Sequence, residues 1–372
     1  MRVTGTVLAD APGRPLLVVG PSLGTSVAAL WGRCVERLAG RFQVIGWDLP
    51  GHGRGAPPAG PFSAADLARA VGALAGDVPF RYAGVSAGAA VGLHLLLDAP
   101  ERIPAAVLLG TGAAIGTPDG WRDRAALVRA SGTAAVADAS ARRWFAPDFA
   151  GREPAAAGAL LHALRDADAE GYALVCEMLA GHDVTGRLGE ITTPVLAVAG
   201  DRDEATPPAK LAEIAAGVRY GRLVTLPGTA HLAPAEQPDA VAALLVEHLE
   251  RPGTAVRRAV LGDAHVDRAT AATTGFTAGF QDLITRYAWG EIWARPGLDR
   301  RSRSLVTLTA LVALGHHEEL AMHVRAARRN GLTGAEIEEV LLQTAIYCGV
   351  PAANTAFRIA QGVLAEDEPG PP

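Results

Sequence analysis

The sequence predicts two folded bodies in one chain: a parallel α/β-sheet protein followed by an all-helical domain. Its 372 residues exceed what one hydrophobic core usually serves, so two domains are expected. Short apolar runs of strand character alternate with helical stretches up to about residue 250 and then stop. Hydrophobic residues make up 49% of the chain and charged residues 20%, which is typical of folded globular protein.

The first body, residues 1–250, carries six apolar runs. They are PLLVVG (15–20), FQVIGWD (42–48), FRYAGVS (80–86), AAVLLG (105–110), PVLAVAG (194–200) and RLVTLPG (222–228). Continuous apolar strands that alternate with Ala- and Leu-rich helical sequence indicate a parallel sheet covered on both faces. Residues 113–190 break this rhythm with helical, Trp- and Arg-bearing sequence, so we expect a helical lid inserted between two strands.

A candidate nucleophile lies in the motif GVSAG, Gly84–Gly88. The G-x-S-x-G spacing lets a serine occupy a tight strand-to-helix turn, because small flanking residues permit close backbone approach. The Ser86 hydroxyl would then project above the sheet, with a helix N-terminus beneath a developing oxyanion. An ordinary small-residue turn explains the motif equally well in a chain with 43 glycines.

Two further motifs favour the catalytic interpretation. AGDRDEATPP places Asp203 just past a predicted strand, and PGTAHLAPAEQP places His231 on the loop after the next one. Ser, Asp, His is the order along the chain that the α/β-hydrolase fold requires. Asp201 is the alternative orienting carboxylate, but the spacing from Gly200 puts Asp203 beyond the strand end. We therefore predict a triad of Ser86, His231 and Asp203.

The turn after the first apolar run, PSLGTSVAALW, holds the small residues that a backbone N–H cradle needs. The expected oxyanion donors are the main-chain N–H groups of Leu23 and Ala87. His52, in the Gly-rich segment DLPGHGRG, is expected to be structural, because the triad already has its base.

SLGT with a nearby Trp, DLPGHGRG, GVSAG, AGDRDEATPP and AHLAPAEQP together resemble the 3-oxoadipate enol-lactone hydrolases of the α/β-hydrolase superfamily. The resemblance covers essentially all of residues 1–250. It implies Ser86 as nucleophile, Asp203 as orienting group and His231 as base. Relatives in the superfamily include esterases and cofactor-free haloperoxidases, so the first body alone leaves the substrate open.

The enol-lactone keeps a free carboxymethyl group, which an arginine of the lid is expected to meet in a pocket walled by Trp121 or Trp144. Arg124 is the residue chosen from four lid candidates, which are Arg122, Arg124, Arg142 and Arg143. A solvated helix face is the alternative for each of them.

The second body, residues 256–364, shows apolar residues at helical spacing and is expected to be all-helical. Thr333 and Glu336 form a T-x-x-E capping box. A Pro/Gly joint, RPGT (251–254), separates the two bodies, and the tail 365–372 is expected to be disordered.

Polar residues on the predicted helices are the candidates for chemistry in this body. His316, Glu319 and His323 share one helix face, whereas His317 is expected to be solvated at the helix start. A metal site is not favoured, because no second cluster with ligand spacing accompanies these residues. Another polar group follows Glu291 and comprises Arg300, Arg301 and Arg303. One of these arginines is a candidate for binding a substrate carboxylate.

This body resembles the 4-carboxymuconolactone decarboxylases of the alkylhydroperoxidase-like superfamily, over nearly its whole length. The supporting text includes RRAVLGDAHVDRA, FQDLITRYAWGEIWARPGLDRRSRSLVTLTALVALG, EELAMHVRAARRNGLT and EIEEVLLQTAIYCGVPAANTAFRIA. Other members of that superfamily use a C-x-x-C pair, which this sequence lacks. Peroxidase chemistry by dithiol exchange is therefore disfavoured, since Cys348 is solitary.

Together the two resemblances imply a bifunctional enzyme of protocatechuate (β-ketoadipate) catabolism. It would decarboxylate 4-carboxymuconolactone to 3-oxoadipate enol-lactone and hydrolyse that lactone to 3-oxoadipate. The first substrate contains its own electron sink, a conjugated lactone carbonyl, so neither metal nor organic cofactor is expected. We predict His323 and Glu319 as the proton-transfer pair with His316 nearby, and Arg303 or Glu291 completing the site.

Two alternatives remain: a general carboxylesterase or haloperoxidase-like hydrolase, and a helical body that is only an oligomerisation module. The expected partners are small lactone carboxylates and further copies of the chain, which would associate through the helical body. The formal charge of −5 gives no reason to expect nucleic acid or anionic membrane. No basic leader or membrane-spanning apolar run is evident, so a cytoplasmic enzyme is expected. The three cysteines, Cys34, Cys176 and Cys348, lack metal-ligand spacing.

Overall fold

A computed structural model describes residues 3–38, 40–250, 252–295 and 297–367 of the chain. The chain divides into two compact units, Met1–Pro252 and Gly253–Pro372, and each is described by itself. No described helix is both long enough and apolar enough to cross a membrane.

A seven-stranded sheet forms the centre of the first unit. Its strands are β1 (Gly5–Ala9), β2 (Leu16–Gly20), β3 (Gln43–Trp47), β4 (Arg81–Val85), β5 (Ala106–Leu109), β6 (Val195–Gly200) and β7 (Gly221–Leu226). They lie in the order β1-β3-β2-β4-β5-β6-β7, with β1 antiparallel to β3 and every other pair parallel. The six predicted runs all lie on parallel strands, as expected. The seventh strand, β1, has no apolar run because it is a partly exposed edge strand.

Helices surround this sheet. They are α1 (Val27–Glu36), α2 (Ala64–Gly72), α3 (Ala87–Asp98), α4 (Pro118–Ser131), α5 (Ala137–Trp144), α6 (Phe149–Arg152), α7 (Pro154–Asp166), α8 (Ala169–Ala180), α9 (Pro208–Gly217), α10 (Ala233–Glu236) and α11 (Pro238–Glu250). Helix α1 packs against α10 and α11, and α2 packs against α3. Apolar residues of β2, β4, β5 and β6 are almost completely buried between these layers, which is why the strands read as continuous apolar runs.

The expected insertion at residues 113–190 consists of helices α4 to α8, between strands β5 and β6. Helix α4 packs along α8. At the exposed edge of this helix pair, Arg129 of α4 donates to Glu170 and Glu177 of α8. The insertion is therefore a helical layer of its own, and we refer to it as the lid.

The second unit is entirely helical within its described residues. Its helices are α12 (Pro252–Leu261), α13 (Asp263–Ala271), α14 (Ala278–Ile284), α15 (Arg300–Leu314), α16 (His317–Arg329), α17 (Gly334–Cys348) and α18 (Val350–Asp367). A nine-residue π-helix, Thr285–Trp293, continues directly from α14. The T-x-x-E capping box is confirmed: Thr333 Oγ1 accepts from the Glu336 N–H, and the Glu336 carboxylate accepts from the Thr333 N–H.

Helices α15 to α18 enclose a separate apolar core in this unit. Its buried members include Leu308, Leu320, Val324, Ile337 and Leu341. The helical body begins at Pro252, four residues before the expected start at 256. The expected disorder of 365–372 is wrong for its first three residues, because α18 continues to Asp367. Residues 368–372 lie outside the described residues.

Candidate active sites in the two units

The turn between β4 and α3 holds Ser86 in an unusual backbone conformation, with φ 54° and ψ −115°. A non-glycine residue there is strained, and such strain is held only where the surroundings enforce it. At Ser86 two glycines allow the close packing that enforces this conformation. A Cβ on Gly84 would come within 2.7 Å of the Ala89 nitrogen, and one on Gly88 would lie 2.5 Å from the Pro21 oxygen. The motif G-x-S-x-G is thus a steric requirement of this turn.

Backbone hydrogen bonds lock the serine turn to its neighbours. The Gly88 N–H donates to Pro21 O at 2.8 Å, and the Ser86 N–H donates to Leu109 O at 2.9 Å. The first of these bonds ties the start of α3 to the turn that carries Leu23. Ala87 is the first residue of α3, where main-chain N–H groups have no partner within the helix. The two expected oxyanion donors therefore lie on segments that are bonded to each other.

The Asp203 carboxylate is buried, with 3% of the residue exposed, and lies in the loop after β6. Its Oδ2 accepts from His231 Nδ1 at 2.9 Å and from Thr206 Oγ1 at 2.8 Å. Its Oδ1 accepts from the N–H groups of Ala205 and Thr206, both at 2.9 Å. The structure brings Asp203 to His231, whereas the alternative, Asp201, is exposed and accepts from the Thr229 N–H.

Burial by itself raises the pKa of Asp203, but the charge of His231 and the hydrogen bonds from His231 and Thr206 outweigh it. The net result is a pKa below the ordinary value of 3.8, so the carboxylate is ionised at neutral pH. A carboxylate only accepts hydrogen bonds, so His231 Nδ1 is the donor of the pair. The other ring nitrogen, Nε2, is then left to accept a proton.

One cavity of about 490 Å³ opens over these groups. Ser86, His231 and Leu23 lie in its wall together with Trp121 and Trp144 of the lid. Its volume lies within the range that is usual for small-molecule sites. Six of the residues predicted for the first unit thus line one cavity: Ser86, His231, Leu23, Trp121, Trp144 and Arg124. Asp203 is joined to this cavity through its hydrogen bond with His231.

Two of the four candidate arginines of the lid line the cavity, and two do not. Arg124 and Arg143 lie in the cavity wall. Arg122 instead pairs with Asp119 at 2.6 Å on the surface, and Arg142 is exposed. Arg124 is the more rigidly held of the two cavity arginines. Its Nε donates to Tyr172 Oη at 2.9 Å and its Nη2 donates to Ser140 Oγ at 2.8 Å.

Glu236 of α10 joins the lid to the histidine loop, and sequence reasoning missed it. Its half-buried carboxylate accepts from the Ala146 N–H of the lid at 2.9 Å and from the Ala230 N–H at 3.2 Å. Burial raises its pKa. Thr206 was missed as well, although a threonine three residues after an aspartate is a common turn partner, a signal that could have found it.

In the second unit the predicted site residues differ in how far they are buried. His323 of α16 is partly buried, and its ring stacks on Trp293 of the π-helix at 6.4 Å between centroids. His316, Glu319 and Glu291 are exposed. Arg303 Nη2 donates to the Arg295 carbonyl at 2.9 Å.

Burial, and then the charge of His265, lowers the pKa of His323 to about 4, although Glu319 acts in the opposite direction. The predicted proton donor is therefore a neutral imidazole at pH 7 in the unliganded unit. The physical reason is that Glu319 is solvated and so only weakly stabilises the imidazolium. In the part of the chain that the structure describes, no group of three or more His, Cys, Asp or Glu could hold a metal ion.

A parallel sheet with a strained serine and a buried Asp–His pair is typical of the α/β hydrolases. Residues 7–244 match the family model "Alpha/beta hydrolase family", and residues 278–362 match "Carboxymuconolactone decarboxylase family". Together with the relatives described next, these matches show that the chain belongs to the first family over its first unit and to the second family over its second.

Two relatives from Acinetobacter baylyi match different parts of the chain. Its 4-carboxymuconolactone decarboxylase is 46% identical over 118 residues, 32% of this chain and 88% of the relative. Its 3-oxoadipate enol-lactonase 2 is 34% identical over 230 residues, 61% of this chain and 85% of the relative. Among solved structures, the enol-lactonase from Burkholderia xenovorans LB400 is 31% identical with a TM-score of 0.64, over 67% of this chain and 96% of that one.

Thr206→Val should slow the reaction of the first unit, because Asp203 loses a donor that holds it ionised and oriented. We expect kcat to fall about tenfold with KM little changed. The variant should also lose thermal stability at pH 7. A depressed pKa contributes stability above the ordinary value of 3.8, and that contribution is lost as the pH falls through the folded-state value.

The measurements are steady-state kinetics and melting temperatures from pH 7 downwards. The difference in melting temperature should shrink below about pH 4. Thr193→Val is the matched control, because Thr193 is buried and its hydroxyl has no partner among the described residues. Equal effects of the two substitutions on kcat would contradict the role of Thr206.

Proposed function

We propose that the chain catalyses two consecutive reactions of β-ketoadipate catabolism. Its second unit decarboxylates 4-carboxymuconolactone to 3-oxoadipate enol-lactone, and its first unit opens that lactone to 3-oxoadipate. The observation that carries this proposal is the pairing of the two units: each matches a different enzyme, and the decarboxylation product is the substrate of the lactonase. A chance fusion would not be expected to join two enzymes through one shared intermediate.

In the first unit Ser86 attacks the lactone carbonyl while His231 Nε2 takes its proton. Asp203 holds the Nδ1 tautomer and stabilises the imidazolium that forms. The N–H groups of Leu23 and Ala87 stabilise the oxyanion. Water activated by His231 then cleaves the acyl-enzyme.

Arg124 is the residue that we assign to the carboxymethyl group of the lactone. Two bonds, to Tyr172 and Ser140, hold its guanidinium at the cavity wall before substrate arrives, so little side-chain entropy is lost on binding. Trp121 and Trp144 supply apolar walls for the lactone ring. Arg143 lies in the same wall but is exposed, so solvent weakens any ion pair that it makes.

In the second unit, loss of CO2 leaves an electron pair that flows through the ring double bond into the lactone carbonyl. The resulting dienolate is protonated at the α-carbon. We assign this proton transfer to His323, supported by Glu319 and with His316 on the same side of the helix. His323 is neutral in the unliganded unit, but a dianionic substrate raises the pKa of a nearby imidazole, so binding itself can charge it. Arg303 or Glu291 would complete the site.

Ser86→Ala should lower the rate of lactone opening by roughly 10⁴-fold or more, because the nucleophile is lost. Decarboxylation should continue, so that the enol-lactone accumulates. His323→Ala should do the reverse and slow decarboxylation by roughly a hundredfold while lactone opening is unchanged.

Both variants are assayed as full chains by ultraviolet absorbance, with each lactone supplied separately. Each variant serves as the control for the other, since its unaltered unit must keep its activity. If the Ser86→Ala variant opened the lactone near the wild-type rate, the triad assignment would be wrong. A wild-type chain that leaves 4-carboxymuconolactone untouched would make the second unit a non-catalytic module.

Arg124→Met should raise KM for the acid lactone about 10- to 100-fold, because a charge-assisted hydrogen bond is lost. The KM for a neutral ester of similar size should change less than about threefold. Arg122→Met is the matched control, since Arg122 lies on the same helix but pairs with Asp119 on the surface. Equal losses for the acid and the neutral substrate would contradict the assignment.

We also propose that copies of the chain associate through the second unit. Thirteen large apolar side chains are exposed among its described residues, against four in the larger first unit. They include Phe276, Phe280, Ile346 and Tyr347, which leave more than half of their surface in solvent. Sedimentation of the full chain should show an oligomer, and Ile346→Glu with Tyr347→Glu should shift it towards a monomer. A wild-type monomer at micromolar concentration would contradict the proposal.

A further inference from the structure

Arg257 of α12 is a buried cation that has no carboxylate partner among the described residues. Only 8% of the residue is exposed. Its Nη1 donates to Gln281 Oε1 at 3.0 Å and to Thr285 Oγ1 at 3.4 Å, and both of these acceptors are neutral. Its Nε is buried without an acceptor among the described residues. Buried charges in proteins are nearly always paired, so this guanidinium is incomplete without an anion.

The neighbouring arginine shows that carboxylates are available nearby but are used elsewhere. Arg258 bonds to Asp263 at 3.1 Å and to Asp267 at 2.7 Å, both on α13. Arg257, the preceding residue, is turned roughly 100° around the axis of α12. Among the described residues, Arg258 is therefore compensated by two carboxylates, whereas Arg257 bonds to one amide oxygen and one hydroxyl oxygen.

The π-helix connects Arg257 to the predicted catalytic histidine. Thr285, which accepts from Arg257, is its first residue, and Trp293, which stacks on His323, is its last. Gly253 allows α12 to lie directly against this segment, because a Cβ there would overlap the main-chain oxygen of Thr285. π-Helices are rare and occur frequently at functional sites.

A second histidine adds to the positive field around this segment. Burial, and then the charges of Arg257, Arg268 and Arg329, lowers the pKa of His265 on α13. The charge of His265 in turn contributes to the lowered pKa of His323. These groups destabilise one another as cations, and an anion placed among them would relieve that repulsion.

We propose that Arg257 binds the carboxymethyl carboxylate of the lactone substrate and determines the specificity of the second unit for dicarboxylic lactones. This inference rests on the decarboxylase function proposed above. The substrate carries two carboxylates, of which one leaves as CO2 and the other remains in the product. A cation paired with the leaving carboxylate would stabilise the ground state more than the transition state, because the negative charge moves into the ring. Arg257 is therefore assigned to the carboxylate that remains, which it holds equally before and after the reaction.

The test uses Arg257→Met and Arg257→Lys in the full chain carrying Ser86→Ala, so that the enol-lactone product is not consumed. Arg257→Met should raise KM for 4-carboxymuconolactone about 10- to 100-fold while kcat changes less than about threefold. The enol-lactone, which keeps the carboxymethyl group, should become a weaker inhibitor by a similar factor. Arg257→Lys should show an intermediate loss, since it keeps the charge but not the two-pronged donor geometry.

Arg258→Met is the matched control, because the adjacent arginine is already paired with two aspartates, and it should leave KM and product inhibition unchanged. Circular dichroism establishes that each variant is folded. If Arg257→Met fails to fold, Arg257→Lys decides the outcome. Unchanged KM and product inhibition in a folded variant would overturn the inference. A weaker substrate with unchanged product inhibition would also overturn it, because Arg257 would then bind the leaving carboxylate.

Calorimetric binding of homocitrate lactone separates this inference from the proposed function. That saturated lactone carries a carboxylate and a carboxymethyl group on one ring carbon, but it has no double bond through which electrons could flow, so it is not decarboxylated. Its affinity should fall about 10- to 100-fold with Arg257→Met. If the wild-type chain does not decarboxylate at all, the proposed function fails, and this binding measurement alone decides whether Arg257 recognises the carboxylate.

Discussion

The close contact between the start of helix α3 and the turn after β2 is the constraint on which the first unit depends. The hydrogen bond from the Gly88 N–H to Pro21 O is possible only because position 88 has no side chain. Tyr82 Oη donates to Gly88 O at 2.6 Å and holds the same turn from below. The contact forces Ser86 into its strained conformation and places Ala87 beside the segment of Leu23. The proposed nucleophile and the proposed oxyanion donors are thus positioned by one backbone contact.

The rest of the first active site is attached to this frame by buried hydrogen bonds. Asp203 accepts four of them and so stays ionised although it is buried. Glu236 links the histidine loop to the lid. The lid is consequently part of the catalytic geometry as well as the source of the arginine at the cavity wall. A substitution in the lid that moves Ala146 would also displace the His231 loop, because Glu236 is bonded to both.

The second unit differs from the first in how its charged groups are compensated. Its polar groups are borne by helices and by a π-helix, and its cations are only partly compensated within the described residues. This arrangement suits a reaction in which the substrate brings the negative charge and also its own electron sink. The first unit, by contrast, must generate and stabilise charge with its own groups, and its Asp203 carboxylate accepts four hydrogen bonds before substrate binds.

The sequence alone predicts both fold classes and the convergence of Ser86, Asp203 and His231. The reason is that the carboxyl ends of parallel strands meet at one edge of a sheet, so motifs that directly follow β4, β6 and β7 must converge. It also determined the capping box, which depends on residues three apart on one helix.

Packing, by contrast, was needed to show that Arg124 and Arg143 line the cavity and that Arg122 and Arg142 do not, because residue spacing on a helix does not say which side chains face a cavity. The roles of Glu236, Arg257 and Trp293 could not be predicted from the sequence for the same reason. Each matters through a partner far away in the sequence, and such contacts arise only when separate helices and loops have packed. The lowered pKa of His323 likewise follows first from its burial, which arises only when α16 has packed against other elements.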